Sequence, residues 1–188
     1  HKNSKHSQLM FREILSKIGL CLHNHALPYM IIGGQAVLIY GEPRLTRDID
    51  ITLGVNIDNL GTIAGIIAEL GLKPIPDDVE SFVKQTMVLP AIEEASGIRI
   101  DFIFSFTPYE EQAIKRSRKI AILGQDVAFA SPEDVIIHKV FAGRPRDIED
   151  ARSIILKNPE IDTAYIRKWL SEFDASSDNN GFLKIFED

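Results

Sequence analysis

The chain has 188 residues, enough for one domain with a real core. Its 45% hydrophobic and 26% charged content is ordinary for a globular protein, and a net charge of −6 argues against a surface that grips nucleic acid broadly through phosphates. One cysteine, Cys21, excludes an internal disulfide, a cysteine zinc finger and a redox pair. No apolar run is long enough to cross a bilayer and no secretory signal is visible, so the expectation is a cytoplasmic protein without a membrane partner.

The first six residues, His1 to His6, have the look of a ragged terminus and are set outside the expected fold. Gln8 to His25 reads as an amphipathic helix, with Met10, Ile14, Ile18 and Leu22 recurring at i+4. His23 and His25 at its end read as solvated helix-end residues rather than metal ligands, since no third ligand is near in sequence. Pro28 stops that segment. A strand, Tyr29 to Ile32, then runs into Gly33-Gly34, a short helix over about Gln35 to Tyr40, a polar loop, and a strand over Asp48 to Leu53.

That last strand alternates strictly. Side chains in a strand point to opposite faces with a period of two. Ile49, Ile51 and Leu53 therefore share a core face, and Asp48, Asp50 and Thr52 share the other. Carboxylates at i and i+2 stand ~6.5–7 Å apart along a strand, close enough to lean onto one cation or onto two cations ~3.5–4 Å apart. A divalent cation relieves their mutual repulsion. A Gly-Gly between strand and helix permits positive φ and places free N–H groups against a phosphate. Phosphate at the turn and metal at the acid pair describe a nucleoside triphosphate site.

Further along, Asp58 is expected to cap a helix running to Leu70, with Ile63, Ile66, Ile67 and Leu70 buried and Gly71 as its stop. Val79 to Glu94 is ambiguous: a short helix around Phe82 and Val83, then a strand from Met87 to Ile92. Ile98 to Phe106 reads as a strong strand with Ile98, Ile100, Phe102, Phe104 and Phe106 on one face. Asp101, on the other face, is either a third active carboxylate or the partner of Arg99. Thr107-Pro108-Tyr109-Glu110 is a capping box opening a helix to about Ser117. That helix leads into Lys115, Arg116, Arg118 and Lys119, which serve the helix dipole or receive acceptor phosphates.

A hairpin is expected over Lys119 to Ala130. Ser131 caps the next helix, whose apolar residues include Val135, Ile136, Val140 and Phe141. His138 there reads as structural or surface, and Lys139 either snorkels to water or reaches a phosphate as a point charge. Pro145 forces a break after Gly143-Arg144, and Asp147 and Asp150 complement the next helix's dipole. Ile148, Ala151, Ile155 and Leu156 are its expected core stripe. Asp162 caps a last strong helix with Ile166, Leu170 and Phe173 buried. Ser176 to Gly181 reads as a linker, and Phe182 to Phe186 is apolar enough to fold back on the core or dock on a partner.

Gly33-Gly34, a short helix and Asp48-Ile49-Asp50 in a strand resemble the signature of the DNA polymerase β-like nucleotidyltransferases. The runs Arg44 to Asp50, Ser131 to Asp134, Lys139, and Arg144 to Asp147 are similar to the abortive-infection-type branch, which includes toxins of toxin–antitoxin pairs. The resemblance covers roughly Pro28 to Leu156. It implies an α/β fold: a small mixed β-sheet nucleotidyltransferase core packed by helices, with a helical C-terminal half. The chain is then one domain, 1–188, with a catalytic sheet lobe at 7–130, a helical lobe at 131–175, a flexible tail at 176–188 and a nucleotide cleft between the lobes.

The resemblance also implies the chemistry. Asp48, Asp50 and Asp101 would hold Mg²⁺ or Mn²⁺, with Asp101 also orienting or deprotonating the acceptor hydroxyl. Gly33 and Gly34 would hold the triphosphate of ATP or another nucleotide. Arg47 and Lys139 would neutralise developing charge, and Lys139, Arg144 and Asp147 would surround the nucleotide. A monophosphate would pass to a tRNA end, a protein side chain or a small molecule, with an antitoxin as a further partner. The alternative is a catalytically silent nucleotide-binding or protein-interaction module. Many superfamily members carry Gly-Ser where this chain has Gly33-Gly34, so only backbone groups can contact phosphate at the turn.

Overall fold

The computed structural model describes residues 2–176 and 181–188, and the side chains of 5–176 and 181–188. The chain enters through a long helix, α1 (Lys2–Asn24), which begins well before the expected Gln8, so the supposedly ragged terminus continues the helix. Ile14, Ile18 and Leu22 form its buried stripe as the spacing predicts. β1 (Tyr29–Ile32) is buried throughout and leads directly into α2 (Gly33–Tyr40), with the two glycines as the first helical residues. β2 (Asp48–Leu53) follows, and Ile49, Ile51 and Leu53 are fully buried on its core face.

Asn56, rather than Asp58, starts the next helical segment. Its carboxamide accepts from the Asp58 amide and caps a 3-10 turn, Ile57–Asn59, that runs into α3 (Leu60–Glu69). After the two-residue strand β3 (Lys73–Pro74), the ambiguous stretch resolves into α4 (Val79–Thr86), capped by Asp78, and β4 (Val88–Glu93). Met87 makes the corner in the left-handed region at φ 60°. β5 (Ile98–Phe104) is shorter than expected. The chain leaves the sheet for the Thr107 cap, and Phe106 ends up 65% exposed instead of buried.

α5 (Pro108–Lys115), β6 (Arg118–Ile122), β7 (Gln125–Phe129) and α6 (Pro132–Ala142) follow as the caps and turn signals predict. α7 (Pro145–Lys157) differs in which face it buries. Asp147, Asp150, Ala151 and Ile154 face inward, Ile148 and Ile155 are half-buried, and Leu156 is 82% exposed. The two acids face inward to pair with buried Lys139 and part-buried Arg44, and Leu156 is left outside. Phe141 is likewise exposed rather than core. α8 (Thr163–Ser176) is opened by Asp162, whose carboxylate accepts from the Tyr165 amide.

The expected linker at 176–181 lies largely outside the described residues. The segment after it is a helix, α9 (Phe182–Glu187), and not a flexible tail. The Asp174 carboxylate accepts from the amides of Phe182 and Leu183 at 2.8 and 3.1 Å. Phe182 stacks on Phe141 with centroids 5.0 Å apart, and Arg167 pairs with Glu187 at 2.7 Å. The apolar end thus folds back on its own chain.

The strands form one seven-stranded mixed sheet in the order β3-β4-β5-β2-β1-β7-β6. β2 lies at its centre, antiparallel to β1 and parallel to β5, so a connection carrying α3, β3, α4 and β4 separates two adjacent strands. Ile49, Ile51, Leu53, Ile100, Phe102 and Phe104 share the core, all at 3% exposure or less. Among the described residues, no helix is long and apolar enough to cross a membrane.

Candidate active site

The register of β2 against β5 sets Asp48 beside Arg99 and Asp50 beside Asp101. Neighbouring strands lie ~4.8 Å apart, so Asp50 and Asp101 project side by side from one face, with Asp48 one step along it. Asp101 has the Arg99 partner and also stands against the central acid: its carboxylate accepts from Arg99 Nε at 2.9 Å and faces Asp50.

Asp50 feels the crowding. Its pKa is pushed up to about 6 by burial first, then by the charges of Asp101 and Asp48, against the opposing charge of Lys139. A hydrogen bond to Asp101 that only the protonated acid can make adds to the rise. Asp50 and Asp101, held together at this cost, fit a hard divalent cation, because oxygen-only donors suit Mg²⁺ or Mn²⁺ and its charge removes the repulsion. With Asp48 added, the three carboxylates do not all come within 4.8 Å of one another.

Gly33 is required by two separate features. Its φ is +68°, and a Cβ there would collide with the Asp50 carboxylate. The turn therefore lies directly against the central acid. A Cβ on Gly34 would meet Thr46, with the Arg44 guanidinium just beyond. Ile32, the N-cap of α2, supplies no side-chain acceptor, and Gln35 Nε2 is buried without a hydrogen-bond partner among the described residues. The first turn of α2 thus keeps donors for an incoming anion.

Beside this turn lies a buried charge network. Lys139, 8% exposed, reaches Asp147 at 3.3 Å and Asp150 at 3.1 Å. Arg44 grips Asp150 with two hydrogen bonds of 2.9 Å, and Arg144 Nε reaches Asp147 at 2.7 Å. Three cations therefore hold two acids, leaving one positive charge near Asp50. Lys139 neither snorkels nor stands free; it is fixed by carboxylates. Asp147 is a buried holder of cations and an N-terminal cap that accepts from the Arg144 amide, rather than a cleft-facing group. Its pKa is lowered despite burial, through Arg144 first and Lys139 second. Arg47 is exposed at the start of β2, and Arg144 is largely exposed.

In sequence nothing singles out Arg44, and Asp150 stands there only as a partner for the helix dipole. Asp147 and Asp150 sit at i and i+3, on one helix face, and that spacing was the available signal. The expected basic cluster is dispersed. Arg116 turns inward to Glu133 and Asp134 and stacks 3.8 Å over the Tyr165 ring, while Lys115 pairs with Glu111. His25, just past α1, bonds Glu69 of α3 at 2.9 Å, and with buried Cys21 of α1 they form the one trio of ligating side chains within 4.8 Å among the described residues. Burial and then the Glu69 charge push the Cys21 thiol up to about 11.

Solved structures share this fold. The fold matches the antibiotic-resistance enzyme ANT(2″)-Ia, solved in complex with adenylyl-2″-tobramycin, at TM-score 0.60 and 19% identity over 89% of this chain and 98% of that one. It matches the lincomycin-bound lincosamide adenylyltransferase LnuA at TM-score 0.53 and 15% identity, over 76% and 94%. A putative nucleotidyltransferase from Thermotoga maritima matches at TM-score 0.53 and 18% identity, over 87% and 94%. At these identities the likeness shows the fold alone. No curated protein matches the sequence. The family described as "Nucleotidyltransferase of unknown function" (DUF6036) matches residues 10–181, nearly the whole chain, and the protein belongs to that nucleotidyltransferase family.

Proposed function

We propose that this protein is a metal-dependent nucleotidyltransferase that moves a nucleoside monophosphate from a triphosphate to an acceptor hydroxyl. The observation that carries the reading is the registered trio on one sheet face, Asp48, Asp50 and Asp101, with Gly33 packed against Asp50. Asp48 and Asp50 would hold Mg²⁺ or Mn²⁺, with Asp101 completing the oxygen set. The ion, when bound, supplies charge neutralisation at the phosphate oxygens.

The chain's own groups do the rest. The first turn of α2 binds the triphosphate through backbone N–H groups, and Arg44 and Lys139 bring positive charge to its β and γ end, with Arg47 and Arg144 at the mouth. The acceptor oxygen forms a bond to the α-phosphorus, the α–β anhydride bond breaks, and pyrophosphate leaves with the electron pair. The acceptor proton passes to the Asp101 carboxylate.

The test uses α-labelled ATP, CTP, GTP and UTP with Mg²⁺, acceptor candidates of each class, and the Asp50→Asn variant. Label should reach an acceptor in the wild type and not in the variant, with the fold intact. Equal labelling by both would contradict the assignment, and nucleotide binding with no transfer to any acceptor would favour the silent module. The Arg44–Asp50 and Arg144–Asp147 runs support an abortive-infection-type enzyme within the family. Expression should then arrest growth for the wild type and not for Asp50→Asn.

A further inference from the structure

The sheet face that carries the acids continues into a cleft of about 720 Å³. Its floor is Ile32, Thr52 and Ile103. Thr52 lies two residues beyond Asp50 on β2, Ile103 two beyond Asp101 on β5, and Ile32 opposite Asp50 on β1. Two residues along a strand is ~6.5–7 Å, so the cleft opens one side-chain step from the carboxylates. Its walls are Tyr109, His138, Phe141, Trp169 and Phe173, from α5, α6 and α8. Tyr109 meets Trp169 and Phe173 edge-on at 5.1 and 5.2 Å.

Two wall atoms are left unsatisfied. Trp169 Nε1 and His138 Nε2 are buried with no hydrogen-bond partner among the described residues. A buried donor left unpaired costs about 1–3 kcal/mol. Glu110, whose carboxylate accepts from the Ser105 and Thr107 hydroxyls, and exposed Glu172 also line the cleft and give it negative charge.

The direction of transfer selects the occupant. Arg44, Arg47 and Gly34 lie where β2 begins, and the cleft lies where β2 ends. Attacking and leaving oxygens stand roughly in line about the transferred phosphorus. Pyrophosphate leaving toward the cations therefore requires an acceptor arriving from the cleft.

We propose that this cleft is the acceptor site, and that the acceptor is a small hydroxylated molecule with an apolar or aromatic body and a basic nitrogen. The proposal rests on the transferase reading above. The aromatic walls take the body, and the basic nitrogen answers Glu172, with Glu110 beside it. A polynucleotide end fits poorly, because its phosphates would face those two acids while Arg116 and Lys115 are engaged elsewhere.

Trp169 is the only tryptophan, so its fluorescence reports what enters the cleft. The probes are two amino alcohols with apolar bodies, lincomycin and propranolol, and a CCA trinucleotide. At least one amino alcohol should give a saturable change and the trinucleotide none. Glu172→Gln, an exposed and conservative change, should weaken that binding roughly threefold or more while leaving Mg²⁺–nucleotide binding, read by calorimetry, unchanged. No response to either amino alcohol, occupation by the trinucleotide instead, or competitive displacement by a non-hydrolysable ATP analogue would overturn the proposal; displacement would make the cleft a base pocket. The calorimetry separates the two ideas: nucleotide binding that survives beside an unresponsive cleft sinks only the acceptor site, whereas loss of metal-linked nucleotide binding sinks the transferase reading itself.

Discussion

Asp50 carries an energetic cost that its removal should reveal. Its pKa is about 6 in the folded chain against 3.8 for a free side chain, so between about pH 4 and pH 6 the folded state binds more protons than the unfolded one. Stability from this group is present at low pH and is lost as pH rises through that window. Asp50→Asn keeps a hydrogen bond to Asp101 and carries no charge. Without metal it should be more stable than the wild type at pH 7.5, by on the order of 1–3 kcal/mol, with little gain at pH 4. Denaturant melts at the two pH values check this, and a destabilised Asn variant at pH 7.5 would contradict it. Gly33 makes a companion prediction. Gly33→Ala pays for positive φ with roughly 1–2 kcal/mol and also displaces the Asp50 carboxylate, so transfer should be lost. Gly97 has φ +74° and nothing within 4 Å of a Cβ. Gly97→Ala should lose comparable stability and keep activity, so equal activity in the two variants would deny the Gly33–Asp50 contact its role.

At the scale of elements, α7 shows what periodicity can and cannot reveal. An apolar stripe of Ile148, Ala151, Ile155 and Leu156 was the natural reading, yet the helix buries Asp147 and Asp150 because Lys139 and Arg44 await them. Arg44 and Asp150 are 106 residues apart in sequence, and no local pattern encodes such a pair. Removing one partner of a buried pair leaves an uncompensated charge, so Asp150→Ala should cost about 3 kcal/mol or more. Replacing Lys139 and Asp150 together, by Met and Leu, should cost less than that single change. A double variant worse than the single would show that the network is not a paired unit. α9 offers a gentler test. Asp174→Ala removes the acceptor for two helix-start amides, which should cost about 1 kcal/mol and speed hydrogen exchange at 182–187 alone. By contrast, the helix starts at Thr107 and Ser131 were legible, because a side-chain cap followed by Pro is a purely local device.

For the whole molecule, the two acid-bearing strands are legible separately from their pattern, and their adjacency only through the family resemblance that puts Asp48, Asp50 and Asp101 on one metal. Alternation places Asp48, Asp50 and Asp101 on polar faces from sequence alone, since the period of two needs only neighbours. That β2 and β5 lie side by side and parallel follows from a crossover through α3, β3, α4 and β4, which local pattern does not decide. The aromatic cleft was hidden. Tyr109, His138 and Trp169 come from three helices, and the sequence marked His138 only as structural or surface. What unites these features is the central claim that one sheet face binds a metal-linked nucleotide. Its most direct test is calorimetric titration of ATP, CTP, GTP and UTP into the wild type and Asp48→Ala, each with and without Mg²⁺. Binding of at least one nucleotide that needs Mg²⁺ and disappears in Asp48→Ala is the predicted result. Binding that ignores both Mg²⁺ and Asp48, or no binding of any triphosphate, would contradict it.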